Sequence, residues 1–322
     1  MRHRLIPFVF TFWLSVSLTA AAVQDCPALV QKALSRTENA CAGMRGNQAC
    51  YGYQTLEAQL QEGLSSFAFN GVGDITGVET IQSLHLSAMN PVTDEWGVTV
   101  MRVRADISED YPDANVTLLA FGDVSLDAAQ DGQQMPMQAF ALHTGDSDSG
   151  CADITENGLL IQTPEGVGRI TLWINDVHVR IGSTALFQAQ PGGDLTISTF
   201  AGLAQVEAQG EMQEAPAGMR VRVPLDDAMQ AAAPPMLPEA FDAEATGLAS
   251  LVTTVTAFTD GSVSQLFGAG NGSGDGTGTG GQGGGASDRN GDCNRDHGQG
   301  AANGNCFGHA NGNNGNGKGN GN

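Results

Sequence analysis

The sequence is poor in basic residues, and lysine is nearly absent from it. Only Lys32 and Lys318 occur in 322 residues, and 14 Lys and Arg stand against 35 Asp and Glu, for a formal net charge of −21 at pH 7. Nucleic acids and anionic membrane surfaces are bound through clustered Lys and Arg. The charge balance therefore argues against both as partners, and it favours solubility.

The sequence also lacks the short motifs of common catalytic and metal sites. It contains no GxSxG, P-loop, HExxH, CxxC or HxxxH pattern. Residues 145–147 read Gly-Asp-Ser, as around a chymotrypsin-type nucleophile, but Asp148 and Ser149 replace the glycines that follow it there. His143 is too near in sequence, because a triad is assembled from distant elements. We expect neither catalysis nor a cofactor, and a hydrolase based on Ser147 and His143 is the alternative.

A long hydrophobic run occurs only at the start of the chain, in residues 1–22. Arg2 and Arg4 precede an apolar core at residues 5–18, and Ala20-Ala21-Ala22 offers a cleavage site. This order is typical of a secretory signal peptide. An uncleaved anchor is the alternative, because the run approaches the roughly 20 residues that span a bilayer. We expect a secreted or cell-envelope protein with no membrane span after signal cleavage.

Residues 23–62 are predicted to form a cysteine-containing helical cap. Asp25 suits an N-cap position and Pro27 suits a first helical turn. Apolar residues at helical spacing follow and give one apolar face: Leu29, Val30, Ala33 and Leu34. A second short helical run is predicted from Tyr53 to Gln61.

Cysteines behind a signal peptide predict disulfide bonds, with a metal site as the alternative. About twelve helical residues between Cys26 and Cys41 would separate them by ~18 Å, whereas a disulfide requires Cα atoms within ~7 Å. Cys26 is therefore predicted to pair with Cys50 or Cys151, and at least one bridge should tie the cap to Cys151. The complete set of disulfide candidates is Cys26, Cys41, Cys50, Cys151, Cys293 and Cys306.

Residues 63–145 are predicted to form a first β-rich block. Apolar residues on both faces of the segment from Asn115 to Phe121 indicate a central or sandwiched strand. Arg102 and Arg104 alternate on one face of another strand, where solvation or pairing with carboxylates competes with an anion site. The candidate strands are Leu64 to Phe69, Gln82 to Ser87, Trp96 to Ala105, Asn115 to Phe121 and Met137 to Leu142.

Residues 150–225 form a second block, in which apolar and polar residues alternate with period two. This alternation indicates half-buried antiparallel strands. Asn175 and Asp176 suit a two-residue hairpin loop, and that loop would pair Trp173 with His178. It would also pair Thr171 with Arg180.

The pattern from Gly158 to Pro224 resembles a FecR-like β-domain. The matching residues are Gly182-Ser183-Thr184, Leu195 to Phe200, Ala201-Gly202, Leu203 to Ala208 and Ala217 to Val221. The resemblance implies a non-enzymatic bacterial β-module that faces the cell exterior or envelope. FecR-type sensors carry an anti-sigma segment and a membrane span before this domain; we find neither here, so a transmembrane signalling role does not carry over.

The amino-acid composition of the remaining chain changes at residue 226 and again at residue 268. Residues 226–267 are rich in Ala and Pro, and residues 243–255 suit a short helix, with a strand as the alternative. Residues 268–322 are rich in Gly and Asn and are predicted to be a disordered tail. Oxygen-bearing side chains alternate within this tail in the rhythm of a calcium loop, against the alternative of a solvated acidic tail. They are Asp288, Asn290, Asp292, Asn294 and Asp296.

The fold is thus predicted to be mainly β, with antiparallel sandwich-like or roll-like blocks, an N-terminal helical cap and a disordered tail. Trp173, His178 and Arg180 are the candidate binding residues, because an aromatic beside a cation suits glycan or peptide contact. Burial of Trp173 under a neighbouring sheet is the structural alternative. We expect an extracellular protein or a surface polymer as partner, and a structural surface or matrix component is the alternative function.

Overall fold

Strands are the main regular elements of the structure. This computed structural model describes residues 26–64, 68–111, 114–129, 137–146, 151, 154–244 and 246–260. Its helices are α1 (Cys26–Cys41) and α2 (Ala249–Asp260). Its strands are β1 (Gln48–Tyr53), β2 (Leu56–Leu60), β3 (Ile75–Gly77), β4 (Ile81–Leu86), β5 (Val98–Val103), β6 (Val116–Phe121), β7 (Val124–Ala128), β8 (Ala139–Thr144), β9 (Gly158–Gln162), β10 (Ile170–Ile174), β11 (Val177–Ala189), β12 (Asp194–Ala208), β13 (Glu211–Pro216), β14 (Met219–Pro224) and β15 (Glu239–Ala240).

Hydrogen bonds join these strands into one sheet that divides into two leaves. The front leaf has the order β2-β4-β7-β8-β10, followed by the first half of β11, the second half of β12, and β13. The back leaf has the order β3-β1-β5-β6-β9, followed by the other halves of β11 and β12, then β14 and β15. β8 pairs with β10 in parallel, which makes the sheet mixed.

The strands β11 and β12 are long because each belongs to both leaves. β11 pairs with β10 along residues 170–174 and with β9 further on, and its register against β12 shifts between Thr184 and Ala185. The shift leaves Phe200 of β12 without a partner residue, and Gly202, which pairs with Ser183 beside it, has a φ of 70°. A Cβ at Gly202 would overlap the Gly182 carbonyl oxygen. Such a bulge bends a strand and lets it pass from one sheet layer to another.

Both leaves contribute side chains to one hydrophobic core. Leu126 and Leu172 of the front leaf belong to the same buried cluster as Leu118 and Phe187 of the back leaf. The predicted mainly β architecture is therefore confirmed, and it consists of one large curled mixed sheet. The two blocks that the sequence separates, residues 63–145 and 150–225, share this core and one sheet.

The back leaf is covered on its second face by the two helices. Leu34 of α1 and Leu251 of α2 lie in a second buried cluster with Leu119 and Phe121 of β6. Every residue of β6 is buried, which confirms the prediction that this strand is apolar on both faces because it is sandwiched.

Two disulfide bonds hold the helical cap. Cys26 bonds to Cys151 with a Cα–Cα distance of 5.9 Å, and Cys41 bonds to Cys50 at 5.8 Å. The prediction that Cys26 pairs beyond its own helix, and that a bridge reaches Cys151, is confirmed. Two disulfides are typical of a protein in an oxidising compartment.

The cap prediction is wrong in one part. The predicted helical run from Tyr53 to Gln61 is instead β2, because the segment pairs with β4 and buries Leu56 in the core between the leaves. Residues 48–53 form β1, an inner strand between β3 and β5. Where the predicted strand from Leu64 to Phe69 is described, it is not a strand.

Helix α2 confirms that the predicted segment 243–255 contains a helix rather than a strand, although the helix begins at Ala249. Within the ranges given above, no helix combines the length and apolar character needed to cross a membrane. The predicted signal at residues 1–22 and the predicted tail at residues 268–322 lie outside the described residues. The same holds for Cys293 and Cys306 and for the calcium candidates Asp288, Asn290, Asp292, Asn294 and Asp296.

Candidate functional site

The hairpin of β10 and β11 carries the candidate binding residues. Its two turn residues, Asn175 and Asp176, have φ angles of 54° and 61°, which is the left-handed region that Asn and Asp tolerate. Trp173 lies opposite His178, and Thr171 lies opposite Arg180. The register predicted from the sequence is confirmed.

Trp173 is an exposed aromatic residue on the outer face of the front leaf. Its side chain is 38% exposed, so the alternative in which a neighbouring sheet buries it is wrong. The indole stacks on the His178 ring with centroids 4.4 Å apart and planes at 27°. His178 Nδ1 also lies 3.3 Å from Glu207 Oε2 on the next strand, and these contacts fix the orientation of both rings.

Arg180 lies on the same face, one cross-strand row from Trp173. It is exposed and pairs across β12 with Gln205. The Gln205 side chain accepts a hydrogen bond from Arg169 Nη1 at 3.0 Å and donates one to Glu214 Oε1 at 2.6 Å. The three predicted binding residues therefore share one polar surface with an aromatic platform at its side.

Next to Trp173 the surface opens into a cleft that the sequence did not predict. The cleft has a volume of about 600 Å³ and lies between β7 and β8, the β10–β11 turn and the segment 228–230. Its lining residues are Asp127, Ala128, Ala129, Ala139, Phe140, Ala141, Trp173, Asn175, Asp176, Ala228, Met229 and Gln230. Neither His178 nor Arg180 is among them, so the predicted patch divides into a cleft residue, Trp173, and two residues beside it.

The buried side chain of Asn175 fixes the shape of this cleft. Its Oδ1 accepts a hydrogen bond from Leu142 N, and its Nδ2 donates to Leu142 O and to Met229 O. One amide thus ties together the hairpin turn, strand β8 and the segment at Met229. Asp226 supports that segment, because its Oδ1 accepts hydrogen bonds from Ala228 N and Gln230 N.

The carboxylates of the cleft give it a negative potential. Asp127 and Asp176 are exposed in its lining, and the lining residues that the structure describes include neither Lys nor Arg. No sequence signal could connect these positions, because Asp127, Trp173 and Met229 come from three distant parts of the chain. The pairing of β7 with β8, the pairing of β8 with β10 and the hydrogen bond from Asn175 to Met229 bring them together.

The other sequence candidates have structural surroundings where they are described. Arg102 Nη1 donates to Met44 O, and burial lowers the pKa of its guanidinium. Arg104 donates to the carbonyl oxygens of Tyr111 and Ala114. These hydrogen bonds give both arginines a role in holding main chain.

The positions of the described residues give little support to the hydrolase and metal alternatives. Ser147 lies outside them, and His143 faces Ser125 across β7 and β8. Ser125 Oγ lies 2.9 Å from His85 Nδ1 on an exposed face, and neither residue lines the cleft. Across the described part of the chain, no group of three His, Cys, Asp or Glu is placed to hold a metal ion.

No protein family model, no curated protein and no solved structure matches the chain, so the resemblance of residues 158–224 to FecR-like domains stays a prediction drawn from their strand and turn pattern.

Proposed function

We propose that the protein is a non-catalytic, secreted or envelope-exposed FecR-like β-module that binds an extracellular protein or a surface polymer through the outer face of its front leaf. The exposed indole of Trp173, which lines a cleft of about 600 Å³, is the observation that carries the proposal. Trp is enriched at binding hot spots because it offers a large rigid contact area.

The construction of the site supports binding. The indole is held by His178, and the turn beside it is held by Asn175, so little side-chain freedom is lost when a partner docks. The buried disulfides Cys26–Cys151 and Cys41–Cys50 agree with export to an oxidising environment.

Site-specific photo-crosslinking on intact cells that export the chain tests the proposal. Amine-reactive reagents are unsuitable because the chain has only Lys32 and Lys318. A Met212→p-benzoylphenylalanine variant places the crosslinker on the front leaf, in the cross-strand row that runs through Glu207 to His178 and Trp173. Val92, which is 79% exposed in the loop of residues 90–95, gives the matched control position.

The proposal expects one discrete adduct at position 212, absent at position 92, with a yield that falls when Trp173→Ala is added. Adducts that contain only further copies of the chain would favour the alternative, a structural surface or matrix component in which the Gly- and Asn-rich residues 268–322 act as a spacer. An adduct that is insensitive to Trp173→Ala, or no adduct at all, would overturn the proposed site.

A further inference from the structure

We infer that the cleft beside Trp173 receives a lysine or arginine side chain of an extended peptide segment. The inference rests on the proposed binding function and names the chemistry of its partner. It follows from three features of the cleft lining: its carboxylates, its aromatic residue Trp173 and its small side chains.

The charge of the cleft selects a cation. Asp127 and Asp176 both line the cleft, one near the end of β7 and one in the β10–β11 turn. Among the described residues that line the cleft, none is Lys or Arg that could compensate these carboxylates. The chain as a whole carries −21, so its long-range field also attracts cations and repels anions.

The aromatic wall suits the same ligand. A Lys ammonium or an Arg guanidinium within about 6 Å of an indole ring is attracted by the ring quadrupole. Trp173 stacks on His178 and still leaves 38% of its surface exposed to the cleft and to solvent. The methylene stem of Lys or Arg would meanwhile cover apolar surface such as Met229.

The small side chains that line the cleft leave room for a stretch of polypeptide and not only for one side chain. Five of its lining residues are alanines, from β7, β8 and the segment that follows β14: Ala128, Ala129, Ala139, Ala141 and Ala228. Small side chains let an extended backbone approach closely, and Phe140, which also lines the cleft, is buried. The anchor at Asn175 keeps the walls apart before any ligand arrives.

Calorimetric titration of the full chain with trilysine tests the inference, with triglutamate and triglycine as comparison peptides. Trilysine should bind, its affinity should fall as salt rises from about 20 to 500 mM, and the comparison peptides should not bind. Asp127→Asn and Asp176→Asn should each weaken trilysine binding about two- to fivefold. Asn tolerates the left-handed φ of position 176, so this variant keeps the turn.

A matched variant and an optical readout make the test specific. Glu62→Gln removes the same unit of charge from an exposed residue beyond the end of β2 and should leave the affinity unchanged. Trilysine should also change tryptophan emission, and Trp173→Phe should abolish that change, because Trp96 is fully buried and Trp13 belongs to the predicted signal peptide that is removed on export.

Equal binding of triglycine and trilysine, or equal weakening by Glu62→Gln and Asp127→Asn, would overturn the inference. If trilysine does not bind while the Trp173-dependent adduct on cells persists, the proposed function stands and the cationic ligand is wrong. If the adduct is missing as well, both the proposed function and the cationic ligand are wrong.

Discussion

The side chain of Asn175 pairs with both backbone groups of Leu142, as a neighbouring strand would. Nδ2 donates to Leu142 O at 3.0 Å, and Oδ1 accepts from Leu142 N at 3.1 Å. The parallel pairing of β8 with β10 comprises only Trp173 with Ala139 and Ile174 with Phe140. The amide therefore continues this short pairing past the point where the chain turns away, and it holds the cleft open at the same time.

The first prediction concerns this amide. Asn175→Asp keeps the size of the side chain and its tolerance of positive φ but removes the Nδ2 donor, which leaves the carbonyl oxygens of Leu142 and Met229 without their partner. Loss of a buried hydrogen bond of this kind should lower the free energy of unfolding by about 1–3 kcal/mol, measured by urea denaturation. Asp176→Asn, in the same turn but exposed, should change it by less than about 0.5 kcal/mol. Equal effects of the two variants would contradict the anchoring role.

Much of the hairpin could be predicted from local chemistry, whereas the cleft could not. Asn175 and Asp176 suit a two-residue turn, and a loop of that length fixes the pairing of Trp173 with His178. The cleft depends instead on the parallel contact of β8 with β10 and on the return of the chain at Met229, which are non-local events without a sequence period.

In the N-terminal cap, too, one part of the structure could be predicted from local chemistry and another part could not. The position of Cys26 at the start of a helix excluded pairing with Cys41 on geometric grounds alone. Strand β2 escaped prediction because only Leu56 of its five residues is buried. Its strand state comes from its partner β4 rather than from its own alternation.

A second prediction addresses the contact of α1 with β1. A Cβ at Gly52 would lie 2.5 Å from Thr37 Cγ2 and 3.0 Å from the Val98 carbonyl oxygen, so Gly52→Ala should overpack this contact and lower stability by about 1–3 kcal/mol. Gly43→Ala is the control, because nothing lies within 4 Å of its Cβ position. Thr37→Ala in the same chain should recover part of the loss, and a double-mutant cycle by thermal unfolding measures that coupling. If the effects of Gly52→Ala and Thr37→Ala are strictly additive, the loss of stability does not come from a clash between these two residues.

A third prediction ranks the two disulfides. Cys26 and Cys151 are 125 residues apart, whereas Cys41 and Cys50 are 9 apart. In the chain-entropy model the larger loop stabilises by about 5 kcal/mol and the smaller by about 2.6 kcal/mol. The double variant Cys26→Ser with Cys151→Ser should therefore unfold at lower denaturant than Cys41→Ser with Cys50→Ser, by chemical denaturation under oxidising conditions. The reverse order would show that local packing around the bridges outweighs chain entropy.

The last prediction concerns acid stability at the end of the back leaf. Hydrogen bonds from Arg220 and Arg222 lower the pKa of Glu239 below its usual value of 4.5, and Arg220 Nε donates to Glu239 Oε1 at 2.6 Å. A carboxyl group whose pKa is lower in the folded state stabilises the fold above its unfolded pKa, and it loses that contribution as the pH falls through the folded value.

The melting temperature of Glu239→Gln should therefore lie below that of the unaltered chain at about pH 6, and the difference should vanish toward about pH 2. The effect should be small and should shrink in about 0.5 M salt, because the pair is exposed and screened. Glu211→Gln, an exposed carboxylate on β13, serves as the charge-matched control for the same pH series. A Glu239→Gln deficit that is constant from pH 6 to pH 2 would instead assign the role of Glu239 to packing of β15 on β14, because packing does not titrate.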